Sequence, residues 1–179
     1  MLFINRYLNL KLKNVLDAIP KNNIFKVGEG GGKQLSGLYR YSGCNYSILP
    51  YELIQCSSLV EYNFEHAKAN KLNIGKNYLL ENREYHFTKN DKPFKGRYHY
   101  DIIEHSDKSC YTFVYYYNIS KGIKGGEIEF EDGIKYKPQE FDVICFDGDV
   151  KHKINKLYGE GIRGTLIMNI EKIENLKHM

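Results

Sequence analysis

The 179-residue chain is long enough for one domain with a substantial core and too short for two domains of ordinary size. A hydrophobic share of 42% and a charged share of 27% are typical of a globular protein and exclude a disordered chain. The net charge of +4 permits an acidic or nucleic-acid partner, but lysine and arginine are scattered and form no long basic run.

The four cysteines predict free thiols. Cys44, Cys56, Cys110 and Cys145 form no C-x-x-C pair, and the last two lie in apolar runs, where a thiol behaves as a small hydrophobic side chain. We therefore expect a reducing compartment and neither a disulfide framework nor a zinc site. The N-terminal segment lacks the features of a signal peptide, and no segment has the apolar length needed to span a bilayer. The expected location is cytoplasmic, without a membrane partner.

Two amphipathic helices are predicted in the first part of the chain. Apolar residues recur at three- and four-residue intervals between Leu8 and Ile19, which predicts a helix that ends before Pro20. A second, partly helical pattern begins at Pro50 and extends to about Asn70. Neither helix carries a clear catalytic grouping.

The segment between these helices is rich in glycine. Residues 28–33 resemble a phosphate loop, but the leading glycine is missing and Gln34 replaces the Ser or Thr that would hold magnesium. We therefore predict a flexible loop there, followed by short strands within residues 38–49.

From Lys76 onward the pattern changes to short strands separated by turns. Strands are expected at 77–82, 97–103, 111–119, 126–130, 133–137, 141–146, 151–157 and 162–170. About eight strands after a helical lead-in favour a sandwich or small barrel with helices against one sheet. We expect one domain over residues 1–179, with a lead-in of helices and supporting strands (1–75), a β core (76–170) and a tail (171–179).

A candidate metal site begins at His99 and Asp101. Alternate side chains of a strand share a face, so these two are expected to point the same way. His152 follows an apolar strand and a polar turn, which would return the chain across the same sheet. Two imidazoles and one carboxylate can cap one face of Fe(II) and leave the opposite positions open. Taken alone, His152 would more often be a surface histidine.

A candidate anion site lies near the end of the chain. The planar guanidinium of Arg163 can grip a carboxylate through two parallel hydrogen bonds. Thr165 lies two residues on and is expected to face the same way, where its hydroxyl adds a third contact. Tyr115 would supply a phenol from the opposite wall, although core packing explains this residue equally well. Arg163 alone would also fit a surface salt bridge.

Taken together, these segments resemble the 2-oxoglutarate/Fe(II) dioxygenases, and within them the prolyl-4-hydroxylase-like branch. The motifs that carry the resemblance occur in the family's order: His99-Tyr100-Asp101, Tyr115-Tyr116-Tyr117-Asn118, Gly125-Gly126-Glu127-Ile128-Glu129-Phe130, Phe141–Phe146 before His152, and Arg163-Gly164-Thr165. The match covers roughly residues 94–170. One departure is Glu131-Asp132-Gly133, which replaces the F-P-x-x-G of this branch.

The resemblance implies a mainly β fold with N-terminal helices and a double-stranded β-helix core of the jelly-roll or cupin-like type. It implies that His99, Asp101 and His152 bind Fe(II), and that Arg163 pairs with the far carboxylate of the co-substrate 2-oxoglutarate. Thr165 and Tyr115 would assist, and the resemblance also allows ascorbate as a cofactor. The expected chemistry is hydroxylation coupled to the conversion of 2-oxoglutarate to succinate and CO2.

A second H-x-D motif offers an alternative pair of metal ligands. His105-Ser106-Asp107 resembles the H-S-D segment of nucleic-acid demethylases of the AlkB type. We favour His99 and Asp101, because the segment after them then provides a loop before the next strand. The AlkB pattern also requires a second arginine on the final strand, where this chain has Asn169.

Three functions remain in competition. The favoured one is hydroxylation of a protein or peptide side chain, with proline the leading candidate. The second is oxidative demethylation of nucleic-acid bases, and the third is a non-catalytic metal-binding β-helix module. The expected partner is accordingly a protein or peptide substrate, with nucleic acid less favoured. The sequence makes no prediction of the oligomeric state.

Overall fold

The computed structural model describes residues 2–7, 9–18, 23–26, 33–42, 57–103 and 108–173. The motif His105-Ser106-Asp107 and most of the expected glycine-rich loop lie outside the described residues, as do Cys44 and Cys56. Lys33, the last residue of that expected loop, belongs to a strand instead.

Two helices are described, and both match the expected regions. Helix α1 (Leu10–Ala18) begins where the Asn9 side chain accepts a hydrogen bond from the backbone N–H of Leu12 at 3.0 Å, an N-cap contact. Helix α2 (Ser57–Ala69) ends where Lys71 adopts a left-handed conformation with φ 57°. No helix in the described part of the chain is long and apolar enough to cross a membrane.

Most of the described chain consists of strands. They are β1 (Leu2–Arg6), β2 (Asn23–Lys26), β3 (Lys33–Ser42), β4 (Ile74–Phe87), β5 (Ile102–Ile103), β6 (Lys108–Ile119), β7 (Ile123–Gly125), β8 (Ile128–Phe130), β9 (Lys135–Tyr136), β10 (Asp142–Asp147), β11 (His152–Ile154), β12 (Leu157–Gly159) and β13 (Gly161–Lys172). The expected strand at 97–103 is shortened to β5 and the one at 126–130 to β8, whereas the one at 151–157 is divided between β11 and β12. Strands β1 and β2 were not anticipated.

The strands form one large antiparallel sheet and two small ones. The large sheet has the order β1-β10-β6-β13-β4-β3-β2, with β5 paired to β6. The small sheets are β11-β8-β9 and β12-β7. The N-terminal strands thus extend both edges of the large sheet, because β1 pairs with β10 and β3 pairs with β4.

Both faces of the large sheet are buried. One face packs on the two helices through a cluster that includes Leu12, Leu16, Leu59, Val60, Phe64, Phe113, Tyr115, Tyr117, Leu166, Met168 and Ile170. The other face packs on the small sheet β11-β8-β9 through Val114, Tyr116, Ile128, Phe130, Ile144 and Phe146. Burial on both faces explains why β6 and β10 read as continuous apolar runs rather than alternating ones.

The described cysteines are as expected. Cys110 and Cys145 are buried free thiols. Burial raises the pKa of each to about 12, so both stay protonated near neutral pH and serve as packing residues.

Candidate metal and co-substrate site

The two candidate histidines meet through backbone pairing. His99 does not lie in a regular strand, but its N–H donates to the carbonyl of His152 at 3.0 Å, and the N–H of His152 donates back at 3.0 Å. The backbone N–H of Asp101 donates to the carbonyl of Gly148 at 3.0 Å. This pairing across the edge of the small sheet brings the two imidazole rings to a centroid distance of 4.4 Å.

The three side chains converge on one point. The Nε2 atom of His99 lies 3.6 Å from Asp101 Oδ1, and the Nε2 atom of His152 lies 3.5 Å from Asp101 Oδ2. One ligand atom from each residue lies within 4.8 Å of the others. Two imidazole nitrogens and one carboxylate oxygen this close together could hold one metal ion.

Both imidazoles are oriented for metal binding. The Nδ1–H of His99 donates to the carbonyl of Arg97 at 2.9 Å, and the Nδ1–H of His152 donates to the carbonyl of Val150 at 3.0 Å. These bonds fix the tautomer that leaves each Nε2 lone pair facing Asp101. Burial lowers the pKa of His152, which favours the neutral imidazole that a metal requires.

A residue that sequence reasoning missed holds the carboxylate. The Thr112 hydroxyl lies 2.7 Å from Asp101 Oδ2 and 3.0 Å from the amide of Asn169. A hydroxyl has one proton, and the short contact to a carboxylate is the stronger hydrogen bond. Thr112 therefore engages one oxygen of Asp101 and leaves Oδ1 for a metal. No local sequence motif marks Thr112; only its place on the same face of β6 as Tyr116 indicates it.

Arg163 is a buried cation with no acidic partner among the described residues. Its residue surface is 3% exposed, and its Nη1 group has no hydrogen-bond partner among the described residues. Its Nη2 group donates to the hydroxyl of Tyr116 at 3.3 Å, and the guanidinium lies over that ring, 5.1 Å from the centroid. Because an uncompensated buried charge is costly, this guanidinium is suited to an anionic ligand such as a carboxylate.

Two glycines, one in the G-G-E motif and one in the R-G-T motif, allow close packing around Arg163. A Cβ atom on Gly126 would lie 2.9 Å from Arg163 Nη1, and φ at Gly126 is +75°. A Cβ atom on Gly164 would lie 2.6 Å from the ring of Tyr117 on the helix side. The G-G-E and R-G-T motifs therefore need glycine for close packing around Arg163 and behind it.

One cavity contains all of these groups. Its volume is about 470 Å³, and it is lined by the three candidate metal ligands together with Thr112, Tyr116, Arg163, Thr165 and Asn169. Val114, Ile128, Phe146 and Ile167 supply apolar walls. Thr165 faces the cavity as expected, where its hydroxyl currently donates to the carbonyl of Arg83 at 3.1 Å.

Tyr115 does not reach the cavity, and this expectation was wrong. Its side chain belongs to the helix-side cluster and makes an edge-on contact with Tyr7 at 5.9 Å. Tyr116, one residue later, faces Arg163 instead. Successive side chains of a strand alternate between faces, and both faces here are apolar, so the pattern of β6 could not distinguish the two tyrosines.

Comparison with known proteins adds information at the level of the fold. No protein-family model and no curated protein sequence matches the chain. Among solved structures, a prolyl-4-hydroxylase from Pseudomonas putida matches with a TM-score of 0.63 at 14% identity, covering 96% of this chain and 92% of that chain. An oxidoreductase of the 2OG-Fe(II) oxygenase family from Burkholderia pseudomallei matches with a TM-score of 0.63 at 12% identity, covering 92% and 78%.

A third match includes a bound peptide. A prolyl hydroxylase from Trichoplax adhaerens, in complex with a hypoxia inducible factor oxygen degradation domain peptide fragment, matches with a TM-score of 0.55 at 15% identity, covering 96% of this chain and 83% of that chain. These matches confirm the expected fold class. The chain therefore has the double-stranded β-helix fold of the prolyl 4-hydroxylases and other 2-oxoglutarate/Fe(II) oxygenases.

Proposed function

We propose that this protein is a 2-oxoglutarate- and Fe(II)-dependent oxygenase that hydroxylates a protein or peptide side chain, with proline the leading candidate. The observation that carries the proposal is a convergence of two sites in one cavity. His99, Asp101 and His152 meet at one point, and Arg163, whose Nη1 group has no partner among the described residues, lines the same cavity. Prolyl substrates are supported by the fold of the matching hydroxylases.

The donor set fits Fe(II). Two imidazoles and one carboxylate are the donor set typical of non-haem iron oxygenases, and His99, Asp101 and His152 would hold the ion. When bound, iron and 2-oxoglutarate supply the oxidation: one atom of dioxygen enters succinate, the other enters the substrate as a hydroxyl group, and CO2 is released.

The protein's own residues bind, orient and shield. Arg163 would pair with the distal carboxylate of 2-oxoglutarate. Burial raises the pKa of Tyr116, so its phenol keeps its proton and would donate to the same carboxylate. Thr112 fixes the Asp101 carboxylate. Apolar walls such as Val114 and Phe146 exclude water from the reacting centre.

Turnover assays test the proposal. Oxygen-dependent formation of succinate from 2-oxoglutarate would be measured with proline-containing peptides and, in parallel, with methylated oligonucleotides. We expect stimulation by the peptides and a hydroxylated peptide product, both lost in His152→Ala. Stimulation by the oligonucleotides alone would contradict prolyl hydroxylation and support base demethylation. Absence of succinate formation above the His152→Ala background under all conditions would contradict oxygenase activity.

A further inference from the structure

Three charged side chains line the cavity without a role in holding the metal or 2-oxoglutarate. They are Glu81, Arg83 and Arg97. The first two lie on β4, opposite Ile167 and Thr165 of β13, so they form the cavity wall one strand beyond the co-substrate residues. Arg97 is exposed and precedes the candidate ligand His99 by two residues.

Glu81 and Arg83 form a close ion pair on this wall. Arg83 donates from Nε to Glu81 Oε1 at 3.0 Å, and from Nη2 to Oε1 and Oε2 at 2.7 and 2.6 Å. The side chain of Arg83 is 28% exposed and that of Glu81 is 20% exposed, so the pair borders the open cavity. A partly buried ion pair contributes little net stability. The Nη1 group of Arg83 takes no part in the bonds to Glu81, and Tyr85 is a second side-chain partner of this guanidinium. Glu81 and Tyr85 together hold the guanidinium on the cavity wall.

Arg97 is a second available cation. Within the described part of the chain its side chain makes no hydrogen bond or ion pair, although its backbone carbonyl holds His99. Lys92 and Lys95, in the same segment, are also exposed. Of these three cations Arg97 lines the cavity, and positive charge at a cavity raises the local concentration of anionic ligands.

The charge of the cavity is not balanced by iron and co-substrate. Among the described lining residues, three arginines (Arg83, Arg97 and Arg163) face two carboxylates (Glu81 and Asp101), which leaves one positive charge when the histidines are neutral. Fe(II) and the doubly negative 2-oxoglutarate add no net charge. One positive charge therefore remains for the substrate.

We propose that the substrate of this site carries a carboxylate, which is bound by Arg97 at the cavity mouth and by Arg83 on the wall. The inference rests on the proposed oxygenase function and extends it to the chemical class of the substrate. Two sources would supply this group: the side chain of an acidic residue beside the oxidised residue of a peptide, or the α-carboxylate of a free amino acid.

Calorimetric titration of the anaerobic protein, loaded with Fe(II) and 2-oxoglutarate, tests the inference without turnover. The peptide probes are acetylated and amidated proline peptides with one glutamate before or after the proline, each paired with the glutamine peptide of equal length. The amino-acid probes are proline and prolinamide. We expect at least one carboxylate probe to bind about tenfold more tightly than its amide partner, the effect of one charge-assisted hydrogen bond. The pair that discriminates identifies the source.

Two variants with opposite expected effects on carboxylate binding distinguish an effect of charge from damage to the fold. Arg97→Gln should remove most of the preference for the carboxylate. Glu81→Gln releases Arg83 and should strengthen carboxylate binding severalfold, whereas damage to the fold would weaken it. Lys11→Gln is the matched control, because it removes one charge from an exposed position on α1, on the other side of the large sheet.

The possible results are distinct from those for the proposed function. If no carboxylate probe binds more tightly than its amide partner, the inference is overturned, even when the protein forms succinate. Equal losses of binding in Glu81→Gln and Arg97→Gln would also overturn it. A carboxylate preference that responds to both variants supports the inference, and an accompanying lack of succinate formation would count against the oxygenase function alone.

Discussion

At the scale of single residues, the site depends on contacts that fix which atoms remain available. The Nδ1–H groups of His99 and His152 are occupied by backbone carbonyls, so each Nε2 is left for a metal. Thr112 similarly occupies one oxygen of Asp101. Hydrogen bonds of this kind to metal ligands commonly change metal affinity by 10- to 100-fold.

The first prediction concerns Thr112. Replacing it with valine keeps the shape but removes the hydroxyl from Asp101, so we expect Thr112→Val to weaken Fe(II) binding by about tenfold or more. Thr112→Ser, which keeps the hydroxyl, should retain most of the affinity. Competition with a coloured chelator under anaerobic conditions measures both. Equal affinities for the valine variant and the unmodified protein would mean that Thr112 does not position Asp101.

The second prediction compares two adjacent tyrosines. Burial raises the pKa of Tyr116, so its phenol remains a hydrogen-bond donor beside Arg163. Tyr116→Phe should therefore raise the dissociation constant for 2-oxoglutarate by about tenfold, the effect of one hydrogen bond to a charged group. Tyr115→Phe serves as the control, because its ring packs toward the helices. An anaerobic 2-oxoglutarate titration measures both dissociation constants. A larger increase in Tyr115→Phe than in Tyr116→Phe would mean that Tyr115, not Tyr116, contacts the co-substrate.

At the scale of elements, the segment that carries His99 is held to both small sheets. Backbone bonds link it to β11 and β12, including the His99–His152 bridge and the Phe94–Leu157 bridge. On the outer face, Glu129 of β8 accepts hydrogen bonds from the Tyr98 hydroxyl and the Asn155 amide, each at 2.8 Å. The Nζ atoms of Lys135 and Lys153 each lie 3.1 Å from the same carboxylate.

The third prediction follows from this carboxylate. The Asn155 amide, the Tyr98 hydroxyl and the two lysines lower the pKa of Glu129 to about 2 from 4.5. A lowered pKa means that the ionised carboxylate stabilises the folded state above pH 4.5 and that this contribution is lost as the pH falls toward 2.

Glu129→Gln should therefore lower Tm at pH 7, and the difference from the unmodified protein should shrink as the pH falls below 4.5. Calorimetry over a pH series measures the difference. Glu131→Gln, at an exposed position two residues along, is the control and should cause little change at any pH. A Tm difference for Glu129→Gln that does not depend on pH would assign its effect to packing rather than to charge.

At the scale of the whole molecule, the order of motifs along the sequence was sufficient to predict the fold class and the convergence of His99, Asp101 and His152. The cavity position of Arg163 and Thr165 was also anticipated. Arg163 and Thr165 were placed correctly because alternate side chains of β13 share a face. His99 and Asp101 lie outside regular strands and meet His152 through backbone pairing, so the order of the motifs, not strand alternation, made their convergence predictable.

Other features depend on contacts between distant segments. The face of β6 that meets the cavity was not predictable, because β6 is buried on both sides and Tyr115 and Tyr116 are both apolar enough for either face. The pairing of β1 with β10 joins residues from opposite ends of the chain, and β1 is too short for its period to be recognised. Thr112 acquires its role only from the neighbouring strand and the Asp101 segment.

The most direct test of the central claim is an anaerobic titration of the protein with Fe(II) and 2-oxoglutarate, followed by the visible charge-transfer absorption of the chelated keto acid. We predict one site per chain, loss of the absorption in His99→Ala and in His152→Ala, and an unchanged signal in His105→Ala. Arg163→Ala should require much more 2-oxoglutarate while binding iron normally. A full signal in His99→Ala, or its loss in His105→Ala, would contradict the proposed metal centre.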